Sequence, residues 1–401
     1  MITDPHTNPG GPSAVTLEQP QPVATGRRGI TVGLPRCSNA DELRFPLTPE
    51  GVQLLIDEGL TVRMQSEAAS SIHYTDAQYT RCGAEIVNRR EALLCDIVIC
   101  LGPLTRSEVM AMRRGALLLT TLDSALASRD AVAAMLERSI IAVAIDLIED
   151  DCGNTPFADI LSEVDGRAAI AIASSLLADA IHGKGILLGG IAGVNPCEVT
   201  VIGSGIAACA AARSASGAGA MVRMFDNDVY RLRRAERELG SYVIGSTLHP
   251  RVLDSALRSA DVVVMTDITS SLTVGADRVN LMKKGVIVFD LSHKPGRTFP
   301  SLPTIDLASA AAFNSAGRVA TRVCYINAGS AVPRTAAMGL SNAFITFFGN
   351  IVAFEGITNA LKLVPGMQRA TLTFFGKAVN QAAARLMGMR HVDISIFLAI
   401  S

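Results

Sequence analysis

Residues 198–226 read EVTVIGSGIAACAAARSASGAGAMVRMFD, and they carry the strongest signal for the fold. Its first five residues form a short apolar, β-branched run, which is typical of a buried parallel strand. Gly203, Gly205 and Ala208 follow at the spacing G-x-G-x-x-A, and the Ala-rich segment behind them predicts a helix. Residues 221–225 predict the next strand, which ends at Asp226. The stretch therefore predicts a strand–turn–helix–strand unit of a doubly wound sheet.

The glycine-rich turn predicts a dinucleotide site, because each residue type has a mechanical role there. Gly203 permits a tight turn, Gly205 lets a diphosphate approach the backbone, and the small Ala208 lets helix and strand pack closely. Free N–H groups at the start of the helix can hold the diphosphate charge. Asp226 stands 23 residues after Gly203, where a carboxylate would bond the ribose hydroxyls of NAD and repel a 2′-phosphate. We therefore expect NAD as the cofactor; the alternative is a domain that keeps its glycines only for packing.

The composition allows more than one domain and gives no sign of nucleic-acid binding. The chain has 401 residues, of which 49% are apolar and 18% charged, with a formal net charge of −1. Its eight cysteines form no C-x-x-C pair and its six histidines are scattered, so we expect buried thiols in a reducing compartment and no metal site. No apolar run reaches the roughly 18 residues of a membrane span, and the start does not resemble a secretory signal. We expect a cytoplasmic protein without a membrane segment.

Periodicity predicts two βα series behind a disordered tail. Residues 1–28 are rich in Pro, Gly, Thr and Gln and lack apolar periodicity, which is typical of disorder. Strands and helices alternate from Gly29 to about residue 150 and again from residue 198 to residue 326, so parallel sheets are expected.

Two helical segments flank the second series. Ser162-Glu163-Val164-Asp165 looks like a capping box, so we expect a long Ala-rich helix to begin there and to end near Ile181. The tail after Pro333 is predicted to be helical and to pack on the first domain, with a break around residues 363–367 and with core positions at Phe344, Phe347, Phe348 and Ile351.

Five motifs in register resemble those of the alanine dehydrogenase family, which also contains the NAD-binding subunit of proton-translocating transhydrogenase. The motifs extend over the chain from about Gly29 onward. They are Arg44-Phe45-Pro46-Leu47-Thr48-Pro49 with Gly51; Ser162-Glu163-Val164 with Gly166 and Arg167, similar to M-S-E-V-A-G-R; Gly183 to Pro196; Gly203-x-Gly205 with Asp226; and Asn327 with Ala331-Val332-Pro333-Arg334-Thr335.

The resemblance implies an α/β fold of two Rossmann-like doubly wound domains, the first completed by C-terminal helices, with the active site between them. The substrate domain is expected to comprise residues 29–160 and 334–401, and the NAD-binding domain residues 161–333. The implied reaction is the NAD-linked oxidative deamination of L-alanine to pyruvate and ammonia, in a homo-oligomer that is a hexamer or a dimer. The implied cofactor-binding residues are Ser162, Gly203, Ser204, Gly205, Ile206, Ala208, Asp226 and Asn327.

Three of the four catalytic positions that the resemblance implies are substituted. Arg44 aligns with the arginine that clamps the substrate carboxylate. Gly102 stands where the family has a lysine, and Asp123 where it has an acid/base histidine. Lys294, with His293 beside it, stands where the family has an aspartate.

One hypothesis is that acid/base chemistry survives with its partners exchanged, Asp123 being the acidic group and His293 or Lys294 the basic one. The alternative is drift in a site that no longer performs the reaction. Asp267 adds a further departure, since it stands in a loop that is apolar in the family, on the nicotinamide side.

Three functions therefore stay open. The first is an NAD-dependent amino-acid dehydrogenase, most like alanine dehydrogenase, acting on an amino acid and its 2-oxo acid. The second is a non-catalytic NAD(H)-binding homologue, which the missing lysine and histidine favour. The third is an enzyme of the same fold that joins a 2-oxo acid to a different amine, such as an N-carboxyalkyl amino-acid synthase.

Overall fold

A computed structural model describes residues 29–37, 42–268, 272–292, 295–308, 322–353 and 357–398. The predicted disordered tail, residues 1–28, and two candidate catalytic residues, His293 and Lys294, lie outside the described residues. The described chain builds two sheets with helices on their faces, as the alternation of strands and helices predicts.

The strands are short, as expected for buried parallel sheets. They are β1 Thr31–Leu34, β2 Thr61–Gln65, β3 Glu85–Val87, β4 Ile97–Ile99, β5 Leu117–Thr120, β6 Ile141–Ala144, β7 Glu198–Ile202, β8 Met221–Phe225, β9 Val243–Ser246, β10 Val262–Met265, β11 Ile287–Asp290, β12 Thr304–Asp306, β13 Val323–Ile326, β14 Thr371–Phe374 and β15 Lys377–Ala378.

The helices alternate with these strands and then form most of the C-terminal part. They are α1 Pro49–Asp57, α2 Asp76–Arg81, α3 Arg89–Leu93, α4 Arg106–Ala111, α5 Leu122–Leu126, α6 Arg129–Glu137, α7 Pro156–Ala178, α8 Ile206–Gly217, α9 Val229–Leu239, α10 Pro250–Ser259, α11 Ala276–Leu281, α12 Pro333–Ala353, α13 Ile357–Leu363, α14 Pro365–Ala370, α15 Gln381–Met387 and α16 Ser395–Leu398.

In each sheet the strand order reverses between the first and the fourth strand of the series. The first sheet runs β15-β14-β6-β5-β4-β1-β2-β3, and the second runs β12-β13-β11-β10-β7-β8-β9. The chain moves outward from β1 to β3 and returns to the other side of β1 with β4, and it does the same from β7 to β9 and back to β10. Crevices between β1 and β4, and between β7 and β10, therefore open at the carboxyl ends of the strands, where ligands bind in open α/β sheets.

Local sequence signals place α1 as expected. Thr48 is the N-cap, and its hydroxyl accepts the Gly51 N–H at 3.3 Å, while Pro49 occupies the first helical position. Gly59 follows the helix with a φ of +88°, a conformation that favours glycine. The helix ends near the predicted residue because its stop signal is local.

The start of α7 corrects the predicted capping box. The helix begins at Pro156 after Thr155, and Ser162 and Asp165 lie inside it rather than at its N-terminus. Proline at the first position is already fixed near the helical φ and its missing N–H costs nothing there, so Pro156 sets the start. As a result, Ser162 and Asp165 project from a continuous helix instead of capping one.

The C-terminal tail packs on the first sheet, but it is not wholly helical as predicted. Phe344, Phe348 and Ile351 of α12 are buried in one core with Leu55 of α1, which confirms their expected burial. Strand β14 pairs antiparallel with β6, and β15 pairs antiparallel with β14. The run of Thr, Leu, Thr and Phe in β14 suits a strand, and its pairing covers β6, which would otherwise be an open edge.

Strand β12 was not predicted. It has three residues and adds to the outer edge of the second sheet beside β13. So short a run carries no periodicity that distinguishes a strand from a loop.

Candidate functional site

A cleft of about 440 Å³ lies between the two sheets, at the reversal points of both. Glu42 and Arg44 come from the segment after β1, and Pro103 from the segment after β4. Ala207 and Asp267 come from the segments after β7 and β10. Helix α7 adds a third wall. The remaining lining residues are Thr121, Asp123, Ser124, Asp146, Ala158, Leu161, Ser162, Asp165, Asp290, Leu291, Ser292, Pro295, Asp306, Ile326 and Asn327.

The glycine-rich turn has the geometry that its sequence predicts. Gly203 has a φ of +113°, and a Cβ added there would overlap the Thr266 hydroxyl, so only glycine fits. Gly205 is the N-cap of α8, and Ala208 is fully buried behind it. The N-terminus of α8, a helix of 12 residues, therefore carries exposed backbone N–H groups beside a residue without a side chain.

Asp226 is held inside the protein by the glycine-rich turn. The Ser204 hydroxyl donates to its Oδ2 at 2.6 Å, and the Asp228 N–H donates to its Oδ1 at 2.9 Å. Asp226 has no exposed surface. In this conformation no surface of the Asp226 carboxylate is open to a ligand. Its hydrogen bond to the cofactor ribose therefore stays a prediction.

Arg44 lies on the cleft wall and is paired with Glu42. Its Nε donates to Glu42 Oε1 at 2.8 Å and its Nη2 to Oε2 at 2.6 Å. Burial lowers the pKa of Arg44, but the charge of Glu42, with those of Asp165 and Asp146, raises it further than burial lowers it. Arg44 is therefore a permanent cation. Glu42 uses two of its five N–H donors.

Asp165 is a candidate functional residue that the sequence predicts only as part of a capping box. It projects from α7 into the cleft, and its Oδ1 accepts the Gly329 N–H at 2.6 Å. Burial raises the pKa of Asp165, and the positive charge of Arg44 and the Gly329 N–H only partly oppose that rise. A cleft carboxyl with a raised pKa suits acid/base work. One signal was available, since the similar motif M-S-E-V-A-G-R has alanine at this position.

Cys37 occupies the place where the side chain of residue 102 would begin. A Cβ added to Gly102 would overlap the Cys37 sulfur. The Cys100 thiol lies nearby, with its sulfur 3.4 Å from the Gly102 carbonyl oxygen. The space at the position where the resemblance implies a lysine is therefore filled by a neighbouring side chain rather than left open.

The other predicted residues fall into two groups. Asp123, Ser162 and Asn327 line the cleft with Arg44, and the structure thus brings these candidates together. Asn327 has a left-handed backbone with φ 61°, and its amide donates to Asp306 at 3.2 Å. Ile206 is partly exposed at the start of α8. The exchange of roles between Asp123 and His293 or Lys294 stays a prediction, because the latter two lie outside the described residues.

The cleft is acidic. Seven carboxylates line it, and Arg44 is the one cation among its described lining residues. The carboxylates are Glu42, Asp123, Asp146, Asp165, Asp267, Asp290 and Asp306. Several of them form hydrogen bonds within the chain, such as Asp290, which accepts from the Ser292 hydroxyl at 2.6 Å and the Gly296 N–H at 2.9 Å.

Within the part of the chain that the structure covers, no three His, Cys, Asp or Glu side chains form a group that could hold a metal ion.

Comparison of the chain with models of known families shows which family it belongs to. Two family descriptions match in tandem: Alanine dehydrogenase/PNT, N-terminal domain, over residues 33–164, and Alanine dehydrogenase/PNT, C-terminal domain, over residues 169–381. The chain belongs to the alanine dehydrogenase/PNT family. The predicted family and the predicted class of two Rossmann-like domains are confirmed.

Members of the alanine dehydrogenase/PNT family align over nearly their whole length. Alanine dehydrogenase 2 of Staphylococcus aureus is 28% identical over 371 residues, which cover 91% of this chain and 98% of that protein. A solved L-alanine dehydrogenase has the same fold, with a TM-score of 0.78 at 24% identity over 90% of this chain and 99% of its own. A transhydrogenase from Sinorhizobium meliloti gives a TM-score of 0.71 at 19% identity, over 88% of this chain and 99% of its own.

Two further observations concern membrane crossing and the cysteines. Among the helices of the described residues, none combines the length and the hydropathy needed to cross a bilayer. None of the eight cysteines, all of which lie in the described residues, forms a disulfide; Cys95, Cys100, Cys197, Cys209 and Cys324 are buried. Burial of five of the eight thiols agrees with the sequence prediction, whereas Cys37 and Cys82 are half-buried and Cys152 is exposed.

Proposed function

We propose that the protein is a nicotinamide-dependent dehydrogenase that interconverts an amino acid and its 2-oxo acid, as the names of its alanine dehydrogenase relatives suggest. One observation carries the proposal. Arg44 and Asp165, a permanent cation and a carboxyl of raised pKa, line the same cleft as Ala207 in the first turn of α8. The substrate groups of an amino acid and the cofactor would thus meet in one place.

The glycine-rich turn fits a dinucleotide. Gly205 presents no side chain at the N-terminus of α8, where a diphosphate would lie against backbone N–H groups. The cofactor, when bound, supplies the hydride donor or acceptor. The protein supplies binding, orientation and proton transfer.

Arg44 is proposed to bind the substrate carboxylate. Glu42 engages its Nε and Nη2, which leaves the Nη1 side of the guanidinium for a ligand. The acidic lining favours the substrate ammonium group by charge attraction. These groups would orient an α-amino acid, with its carboxylate toward Arg44 and its ammonium group toward the acidic side chains of the cleft.

Asp165 is proposed to move the proton. When protonated it can donate to the carbonyl oxygen of a 2-oxo acid as ammonia adds to the carbonyl carbon, and when ionised it can take that proton back from the resulting hydroxyl as the C–N bond breaks in the reverse direction. Burial keeps its pKa above that of an ordinary aspartate, which brings the protonated form closer to neutral pH. The lost histidine and lysine would then be replaced in function by one carboxyl from α7.

The second candidate is a non-catalytic cofactor-binding homologue. The observation that favours it is the Cys37 sulfur in the space of the missing lysine, together with Arg44 already paired to Glu42. One experiment separates the two functions: titrate NADH by its fluorescence, then follow nicotinamide absorbance with ammonium and a panel of 2-oxo acids that includes pyruvate. Binding with oxidation of NADH supports the dehydrogenase. Binding without turnover of any 2-oxo acid supports the non-catalytic homologue, and turnover only with another amine identifies a synthase.

The cytoplasmic location and the homo-oligomer, a hexamer or a dimer, stay predictions.

A further inference from the structure

A second cavity, of about 180 Å³, lies between α8 and α9 beside the glycine-rich turn. Ser204 and Gly205 form one end of it, and Arg213, Arg231 and Arg234 line it. Its two acidic lining residues are already paired: Glu238 with Arg213 and Glu163 with Arg167, each at 2.6 Å. The cavity therefore has positive charge in excess.

Arg231 reaches furthest toward the turn. Its Nη2 lies 2.9 Å from the position that a Cβ on Gly205 would take. The absent side chain of this glycine is what lets a diphosphate approach. Within the described part of the chain, the Arg231 guanidinium has no hydrogen-bonded or ion-paired partner, although the residue is half-buried. An unpaired, partly desolvated guanidinium at a helix N-terminus is suited to an anion, and phosphate is the anion that its fork geometry matches.

The Asp226 carboxylate does not balance the positive charge of the cavity on the side where the cofactor ribose is expected. A carboxylate at this strand end excludes a 2′-phosphate only when it faces the ribose. Here both of its oxygens are engaged, by the Ser204 hydroxyl and the Asp228 N–H, and the residue has no exposed surface. The Asp226 carboxylate, whose position in the sequence predicts NAD, thus points into the protein. Arg231 lies five residues later, in the first turn of α9.

We propose that Arg231 binds a phosphate of the dinucleotide, and that the site accepts NADP(H) as well as NAD(H). The proposal rests on the proposed function in that it assumes a nicotinamide dinucleotide on the glycine-rich turn. The phosphate is either the diphosphate, common to both cofactors, or the 2′-phosphate, which carries a charge of about −1.5 to −2 at neutral pH.

The test is fluorescence titration of the full chain with NADH and with NADPH, for the unmodified protein and for Arg231→Ala, Arg231→Lys and Arg237→Ala. Arg237 lies on the same helix but outside the cavity, so Arg237→Ala is the matched control. The unmodified protein is expected to bind NADPH within about tenfold of NADH. Arg231→Ala is expected to weaken binding by about 10- to 100-fold, the range for a hydrogen bond to a charged group. Arg231→Lys, which keeps the charge, is expected to lose less.

The pattern of losses identifies the phosphate. Equal weakening of NADH and NADPH in Arg231→Ala assigns Arg231 to the diphosphate, and selective weakening of NADPH assigns it to the 2′-phosphate. The proposal is overturned if Arg231→Ala binds both cofactors as the unmodified protein does, or if the unmodified protein binds NADPH more than about tenfold more weakly than NADH. Either result leaves the proposed function standing, whereas failure of the unmodified protein to bind either cofactor overturns both.

Discussion

The carboxylate of Glu42 meets the guanidinium of Arg44 edge-on, with two hydrogen bonds of 2.8 and 2.6 Å. The side chains are only 15% and 10% exposed, so this is not a solvated surface pair. The positive charge of Arg44, which is expected to bind a substrate carboxylate, is therefore already partly balanced by the negative charge of Glu42. Substrate binding at Arg44 must compete with Glu42 for charge, although not for all of its N–H donors.

Glu42→Gln is predicted to tighten binding of 2-oxo acids, because it removes one negative charge beside Arg44 while keeping a hydrogen-bond acceptor. The expected gain in binding free energy is about 1 kcal/mol, which corresponds to a KM lower by about fivefold. This is the size of one charge contact at short range in a solvated cleft. Steady-state kinetics with varied 2-oxo acid measure it, and the KM for the cofactor serves as the internal control. An unchanged or higher KM for the 2-oxo acid would show that Arg44 does not bind its carboxylate.

Asp165→Asn is predicted to change the pH dependence of stability. The folded-state pKa of Asp165 is raised above its ordinary 3.8, so the folded chain holds this proton more tightly than the unfolded chain. The unmodified protein should therefore lose stability relative to Asp165→Asn as the pH rises through the raised pKa, and the two should converge on acidification. Urea unfolding of both proteins at several pH values measures the difference. A constant difference, or one that grows toward low pH, would contradict the raised pKa.

Gly102→Ala is predicted to cost about 1–3 kcal/mol of stability, the usual cost of overpacking, because its Cβ would overlap the Cys37 sulfur. In a Cys37→Ala background the cost should fall to near zero, and the coupling is read from a double-mutant cycle. Gly217→Ala is the matched control, since nothing lies within 4 Å of the added Cβ there. Equal costs for Gly102→Ala in both backgrounds would mean that Cys37 does not fill this space. The same contact predicts that Gly102→Lys alone will not restore the family lysine.

Ser204→Ala is predicted to destabilise the protein by about 1–3 kcal/mol, because it removes a hydrogen bond to a buried carboxylate. Ser216→Ala, on helix α8 that follows the turn, removes only a bond to the Arg213 carbonyl and should change stability by less than about 0.5 kcal/mol. Chemical denaturation of the two variants gives the comparison. If they match, the Ser204–Asp226 bond does not hold the turn.

The fold follows from the sequence wherever signals are local and repeated. The glycine-rich turn, the cap at Thr48 and the alternation of short apolar runs with helices specify their elements directly. Prediction was wrong where tertiary pairing decides: β14 is a strand because it covers β6, and a capping pattern at Ser162 was overridden by Pro156 upstream. Aligned motifs, not periodicity, identified the family.

The site was predicted less completely, because its chemistry depends on which side chains meet across the cleft. Spacing places Asp226 at the ribose, but only coordinates reveal that Ser204 turns it inward. The resemblance to the family likewise implies that a lysine is missing at Gly102, but it does not reveal that the Cys37 sulfur fills the space there. The sequence does not single out Asp165, because a carboxyl in a helical pattern is typical of a solvated or capping residue until its burial is known.

The most direct test of the account compares kcat for NADH oxidation, with ammonium and the best 2-oxo acid, between the unmodified protein and Asp165→Asn. Loss of a general acid is expected to lower kcat by about 10²- to 10⁴-fold while the affinity for NADH stays the same. Asp123→Ala, run in parallel, tests the alternative acid predicted from sequence. Equal kcat in Asp165→Asn and the unmodified protein would contradict the assignment of proton transfer to Asp165.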